Sequence, residues 1–379
     1  MMWLPVIYKT KVRLLRSEIS PSNFKVKFVL KKRLYKFYFM VRRKNPTKTS
    51  PVSINDVARL AGVSITTVSR VINKFSSVKE KNKIRVLDAV KQLNFQPSVF
   101  AQRLATGKNN VVALVIPRYE GMFYSFYVLE LIRGIGTLCE VLKLDLLLKL
   151  TDNKSTVNLR GVGGIIFADI IGNRTLLEEA LGTKTPCIVI NNNVEDLKVS
   201  CISIDNAGGA FNAVNYLAGL GHKKIAHITG DLITQAASQR LEGYKQALVK
   251  NNIEIREEYI IKTDYSRGQA RSASEKLINM QDPPTAVFVA SDSMALEVIT
   301  VARESGKEIP QDLSIVGFDD NPSGLYGPVA LTTVRQPLIK MAQDSVKMLS
   351  ALIEGTVDKP RKIILPTELV VRESCRALK

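Results

Sequence analysis

A chain of 379 residues is too long for one small domain and suggests two or three. Its net charge of +19 gathers at one end: residues 1–50 hold 14 Lys/Arg and 1 Asp/Glu, residues 51–110 hold 10 and 3, and residues 111–379 hold 30 and 31. A basic end on a neutral body fits a protein that meets a polyanion with one part only, while four cysteines without C-x-x-C spacing and two histidines speak against a metal site or disulfide framework and for reduced thiols in the cytoplasm.

Residues 1–51 form a basic leader. Phe24 to Val41, FKVKFVLKKRLYKFYFMV, mixes aromatics with six Lys/Arg, and its longest uncharged run is too short to cross a bilayer. It lacks the clean apolar region and small-residue cleavage site of a signal peptide. Three readings stay open: a basic arm for DNA backbone or membrane surface, a disordered tail, or upstream sequence ahead of a true start near Met40.

Residues 52–96 follow as a headpiece. In SINDVARLAGVSITTVSRVIN, from Ser53 to Asn73, residues Val57, Ala58, Leu60 and Ala61 share one helical face, Gly62 interrupts, and Val63 and Val68 restart an apolar face. Glycine takes a positive φ at little cost, and the Ser64 hydroxyl can cap the next helix. That helix, Ile65 to Val71, turns Val68 and Val71 inward and Ile65, Thr66, Ser69 and Arg70 outward. A short helix with small polar groups and one guanidinium fork suits a major groove, where arginine holds guanine O6 and N7.

From Asp56 to Asn73 the chain matches D-V-A-x-x-A-G-V-S-x-x-T-V-S-R-V-x-N and so resembles the headpiece of the LacI/GalR family of bacterial repressors. The resemblance implies a DNA-contacting set of Ser53, Ser64, Ile65, Thr66, Thr67, Ser69, Arg70 and Asn73. It begins only near Val52, which favours the start near Met40. Lys79 to Leu93 reads as a third helix with Ile84, Leu87, Val90 and Leu93 on one stripe. There Lys79, Asn82 and Lys83 replace the family's serine cap and Thr-Arg pair, which weakens the cap.

Residues 97–110 are the hinge and linker. Ser98 to Ala105 resembles the family's hinge helix, too short to be stable alone and expected to order when paired with its twin on DNA. Leu104 matches the leucine that wedges into the minor groove; packing of Leu104 on the body is the alternative.

From Val111 short apolar runs alternate with helical stretches: VVALVI, Phe126–Leu142, LDLLLKL, GGIIFA, Leu176–Leu181, CIVI, CISI, Gly209–Leu220, KIAHI, Arg240–Lys250, TAVFVA, Met294–Ser305 and SIVGF. That pattern predicts parallel sheets covered on both faces, too many strands for one sheet, and a break near Asp205 with later crossovers near Thr333–Pro337 and Ile363–Glu368. The expected fold is an all-α helix-turn-helix headpiece plus an α/β two-lobed core over residues 111–379, resembling type I periplasmic binding proteins. Too few residues separate Leu150 from Gly163 for the family's long second helix.

Ligands of open α/β sheets lie past the carboxyl ends of the strands. The polar residues there are Asn191, Ser291, Asp292 and Asp319, with Arg240 opening a helix after KIAHITG. Tyr124, Phe126, Tyr127 and Phe318 are candidates for the apolar wall of a sugar site. The resemblance assigns effector contacts to Asn191, Arg240, Ser291, Asp319 and Gln336. Asp292 reads equally as a helix cap, Asp205 and Asn206 read as a cap, and His222 and His227 read as structural. The expected function is a transcriptional regulator, a repressor, that binds a palindromic double-stranded DNA operator as a homodimer under control of a small-molecule effector of the sugar class. A solute-binding protein of a transporter is the alternative. No Gly-rich phosphate loop, zinc set or nucleophile motif appears, so neither enzymatic activity nor a cofactor is expected.

Overall fold

The computed structural model describes residues 52–73, 78–96, 110–119, 121–152, 161–357 and 359–378. The leader, the hinge with Leu104, and the segment between Leu150 and Gly163 that is too short for a long helix lie wholly or mostly outside these residues. The chain divides into two units after Thr106.

In the first unit α1 (Ile54–Ala61), α2 (Ile65–Ile72) and α3 (Glu80–Gln92) bury Val57, Ala58, Ala61, Val68, Val71, Val86 and Ala89 against one another. The turn between α1 and α2 closes as expected. Gly62 has φ 61°, and the Val63 amide donates to the Ala58 carbonyl at 3.1 Å, satisfying an orphan helix-end acceptor.

Two expectations about the apolar faces are corrected. Leu60 is 50% exposed rather than part of the inner face, and on α3 Ile84 and Leu87 are 55% and 51% exposed. The inner face of α3 runs through Val86, Ala89, Val90 and Leu93 instead. Both stripes share Val90 and Leu93, and only the packing partner decides which preceding positions turn inward. Lys79 makes no side-chain cap, in keeping with its replacement of a serine.

The second unit holds two six-stranded sheets. The first is ordered β11-β5-β4-β3-β1-β2 and wholly parallel: β1 (Val111–Pro117), β2 (Asp145–Thr151), β3 (Gly164–Phe167), β4 (Cys187–Ile190), β5 (Ser200–Ile204) and β11 (Lys362–Leu365). The second is ordered β12-β10-β9-β8-β6-β7, with β6 (Ile225–Ile228), β7 (Ile260–Ile261), β8 (Ala286–Val289), β9 (Ser314–Asp319), β10 (Thr332–Arg335) and an antiparallel β12 (Glu368–Val370).

Their near-continuous apolar strands are covered on both faces, as parallel sheets require. Helices α4 (Phe126–Val141) and α10 (Leu338–Ile353) pack on one face of the first sheet and α5 (Arg174–Gly182) on the other. On the second sheet α6 (Asn206–Gly219) and α7 (Gln235–Lys250) oppose α8 (Arg267–Ile278) and α9 (Asp292–Glu304). The chain crosses between lobes after β5, after β10 and between β11 and β12, at the three places expected.

The runs named from sequence omitted α8 and α10, and α7 begins at Gln235, five residues before Arg240. Its true start is set by Thr234, whose hydroxyl accepts from the Ala237 amide at 3.1 Å.

Candidate functional site

The headpiece offers the first candidate surface. Ser53 and Asp56 form a capping box at the head of α1, with the Ser53 amide donating at 3.0 Å and its hydroxyl at 2.7 Å to Asp56 Oδ2. These bonds hold the Asp56 carboxyl below its ordinary range, the hydroxyl acting more strongly than the amide. Ser64 Oγ accepts from the Thr67 amide at 3.2 Å, and Asn73 Nδ2 donates to Ser69 Oγ at 3.3 Å.

Four of the predicted DNA contacts, Ser64, Thr67, Ser69 and Asn73, thus also shape α2 itself. Ile65, Thr66 and Arg70 are exposed, while Val68 and Val71 are buried. The helix presents one short polar side with one long cation.

The second candidate site is the cleft at the strand ends of the two lobes. Asn191, Asp319 and Asp320 have φ of 66°, 133° and 59°, a backbone state uncommon outside glycine that clusters at functional sites. Asp319 accepts from Gln336 Nε2 and shares a recess of ≈ 270 Å³ with Gln336, Phe126, Glu130 and Arg335. Burial raises the Asp319 carboxyl above the ordinary range, and the charge of Asp292 adds to it.

Arg240 has two of its nitrogens engaged within the fold. It is buried on α7, donates from Nε to Asn206 Oδ1 at 2.9 Å and from Nη1 to the Ala290 carbonyl at 2.6 Å, and lies 3.7 Å over the Phe318 ring. Asn206 is therefore the anchor of Arg240, and Asp205 alone caps α6, accepting from the Gly208 amide at 2.7 Å.

Asp292 is corrected as both cap and open ligand contact. It is fully buried, accepting from Thr333 Oγ1 at 2.6 Å and from the Asn321 amide at 2.7 Å. The cap of α9 is Ser291, which accepts from the Met294 amide at 3.4 Å. Tyr124 is 91% exposed in a short 3-10 turn, and the buried Phe318 ring already carries Arg240, so neither supplies an open apolar wall.

Asp169, Tyr119 and Tyr265 lie near one another at this cleft, and of these Asp169 and Tyr265 escaped the reading of the sequence. Asp169 directly follows the apolar run GGIIFA, so the strand-end rule that selects Asn191 selects it equally. Its Oδ1 accepts from the Ile171 amide at 2.9 Å, it also accepts from the Asn191 side chain, and burial outweighs these bonds to raise its pKa. Tyr119 lies in the loop after β1. The residue is 47% exposed, and its phenol is raised by partial burial, against a hydrogen bond with Ser125 that lowers it, and further by the charges of Asp169 and Asp319, one from each lobe. The Tyr265 ring occupies space beside Gly230, where a Cβ would come within 1.9 Å of it.

A pair of hydrogen bonds joins the lobes at the same end. The Asn193 amide donates to Gln235 Oε1 at 2.6 Å, and Gln235 Nε2 donates to the Asn193 carbonyl at 3.2 Å. His227 is structural, stacked on Phe288 with ring centroids 4.7 Å apart and bonded through Nδ1 to the Phe288 carbonyl at 2.9 Å.

Two family models match the chain: "Bacterial regulatory proteins, lacI family" over residues 53–98 and "Periplasmic binding protein-like domain" over residues 214–375. The HTH-type transcriptional regulator DegA of Bacillus subtilis (strain 168) is 34% identical over 337 residues, covering 86% of this chain and 98% of DegA. The HTH-type transcriptional repressor PurR of Vibrio cholerae serotype O1 (strain M66-2) is 30% identical over 335 residues, with 86% and 98% covered. Among solved structures, the lac repressor dimer bound to operator and the anti-inducer ONPF aligns with a TM-score of 0.73 at 28% identity over 86% of this chain and 100% of that one. The transcriptional regulator CelR–cellobiose complex aligns at 0.65 and 28% over 85% and 99%. A helix-turn-helix with this motif, joined in one chain to a two-lobed core and similar along nearly the whole of such regulators, places the chain in the LacI family of bacterial regulatory proteins: it is a DNA-binding regulator of transcription.

Proposed function

We propose that the chain is a cytoplasmic repressor that binds a palindromic operator as a homodimer and responds to a sugar in its interlobe cleft. The observation that carries this reading is the open polar side of α2, with Thr66 and Arg70 exposed on a helix whose apolar side is buried. One such helix makes few base contacts, so two are needed, and a twofold dimer reads two half-sites.

In this reading residues 52–96 read DNA, residues 97–110 couple, with Leu104 as the wedge, and residues 111–379 sense. Arg70 contacts a base edge, Ile65, Thr66 and Ser69 contact bases or backbone, and Ser53, Ser64, Thr67 and Asn73 set the helix and its phosphate contacts. The edge strand β2 and its neighbour α4 expose Leu148, Leu129 and Val141, an apolar surface suited to a second copy.

The effector half of the proposal rests on the cleft and on similar regulators solved with small molecules, CelR with cellobiose and the lac repressor with the anti-inducer ONPF. Asn191, Asp319 and Gln336 would contact the ligand, while Arg240, Ser291 and Asp292 hold the walls. A ligand that favours one lobe arrangement shifts operator affinity only by its differential affinity for the two states. The solute-binding alternative leaves residues 52–96 without a use.

Selection from a random duplex pool tests the DNA half. An enriched inverted repeat, bound by a protein that sediments as a dimer, supports it; enrichment of no sequence at ordinary ionic strength overturns it.

A further inference from the structure

We infer that, whatever the cleft binds, the two sensor lobes turn about one packed point, Gly209 on α6. This glycine sets their arrangement although it belongs to neither the DNA-contacting nor the effector-contacting set.

The three crossovers converge there. The first is at Asp205, whose carbonyl accepts from the Gly209 amide at 3.0 Å and from Thr367 Oγ1, on the third crossover, at 3.3 Å. The Asp205 amide donates to the Leu365 carbonyl at 2.9 Å, so the first and third crossovers are joined through main chain as well as side chain. The second and third are joined where β10 and β12 pair: Arg335 stands opposite Glu368, and its Nη1 donates to Glu368 Oε2 at 2.9 Å. Segments laced in this way cannot shift singly, and a lobe movement has to turn all three together.

At Gly209 there is no slack. A Cβ would lie 2.7 Å from Thr367 Oγ1, 3.1 Å from Phe318 Cε2 and 3.1 Å from Val334 Cγ1. Thr367 stands on the third crossover, Val334 in β10 just before the second, and Gly209 itself in the first turn of the helix that follows the first. Two of these neighbours cannot withdraw: Phe318 is buried with Arg240 3.7 Å over its ring, and Val334 is buried within β10. A methyl group at this position therefore pushes on the crossovers, since a close-packed interior passes strain on rather than absorbing it. A small displacement at a pivot grows with distance toward the rim of the lobes.

The rim carries its own reporter. The Asn193 amide of one lobe donates to Gln235 Oε1 of the other at 2.6 Å, a bond that requires this arrangement of the lobes.

The experiment is hydrogen–deuterium exchange of the full chain without added ligand, comparing peptides that contain Asn193 with peptides from β1 and β8, one strand in each lobe. In Gly209→Ala, exchange at Asn193 should quicken at least tenfold while β1 and β8 keep their rates. Plain loss of stability does not give that pattern, because global unfolding exposes every strand alike. Thr367→Val keeps the packing volume but deletes the hydroxyl bonded to the Asp205 carbonyl, and should quicken Asn193 several-fold. Gly209→Ala decides the matter where it folds, and Thr367→Val where it does not. Exchange at Asn193 that stays at the wild-type rate, or rises only in step with β1 and β8, overturns the assignment of Gly209 as the pivot.

Discussion

At the scale of single residues the chain separates groups that face outward from groups that hold others in place. Arg70 is of the first kind. Arg70→Ala is expected to cost about 1–3 kcal/mol at a guanine-bearing operator while leaving weak, salt-sensitive binding, read by competition against scrambled duplex. Arg240 is of the second kind, since its removal leaves Asn206 Oδ1 and the Ala290 carbonyl buried without donors. Arg240→Met should lower stability by about 2–3 kcal/mol as well as blunt any ligand response, and a variant that keeps its melting temperature would contradict this packing.

His227 gives a pH signature. Burial pushes its pKa down to about 4, against about 6.5 in an unfolded chain. Between those values the unfolded chain binds more protons, so this group's contribution is complete above about pH 6.5 and falls by about 3 kcal/mol as pH drops to about 4. Asp292 and Asp319, raised by burial, act in the opposite sense because the folded chain protonates them first. The measurement is therefore the gap in unfolding free energy between the protein and His227→Phe, which should shrink in the wild type's disfavour as pH falls. A gap independent of pH would show that the ring is not held neutral.

At the scale of elements the informative positions are those where two backbones approach. A Cβ at Gly243 on α7 would lie 2.1 Å from the Ala207 carbonyl oxygen on α6, and main chain cannot swing aside as a side chain can. Gly243→Ala should force the helices apart and cost about 1–3 kcal/mol. Equal melting temperatures would mean that the helix pair is looser than this. Packing also chose the inner face of α3, where Ile84 and Leu87 obey helical spacing yet point outward.

At the scale of the whole molecule the two sensor lobes are joined by three crossovers and, at the cleft, by the paired bonds between Gln235 and the Asn193 backbone. Gln235→Ala removes both bonds from this arrangement of the lobes. If ligand favours this arrangement, the loss of about 1–2 kcal/mol should weaken effector affinity by roughly tenfold with no change in the groups that touch the ligand. Unaltered affinity would mean that ligand binding does not draw on this contact.

The sequence alone determined the capped helix-turn-helix and the alternation of buried strands with helices, though not α8 or α10, because each is local: a glycine at positive φ, a serine three residues before an amide, an apolar run of strand length. It also placed Asn191 and Asp319 at strand ends, while Gln336 entered only through the family resemblance. What it could not settle were the properties that depend on groups distant in the chain. Arg240 has no bonding partner close in the chain, since Asn206 and Ala290 are 34 and 50 residues away, and Asp292 looked like a cap because Thr333 is 41 residues away. Only the tertiary structure brings such groups within bonding distance, and with them decides which charges are spent on holding the fold and which remain for a ligand.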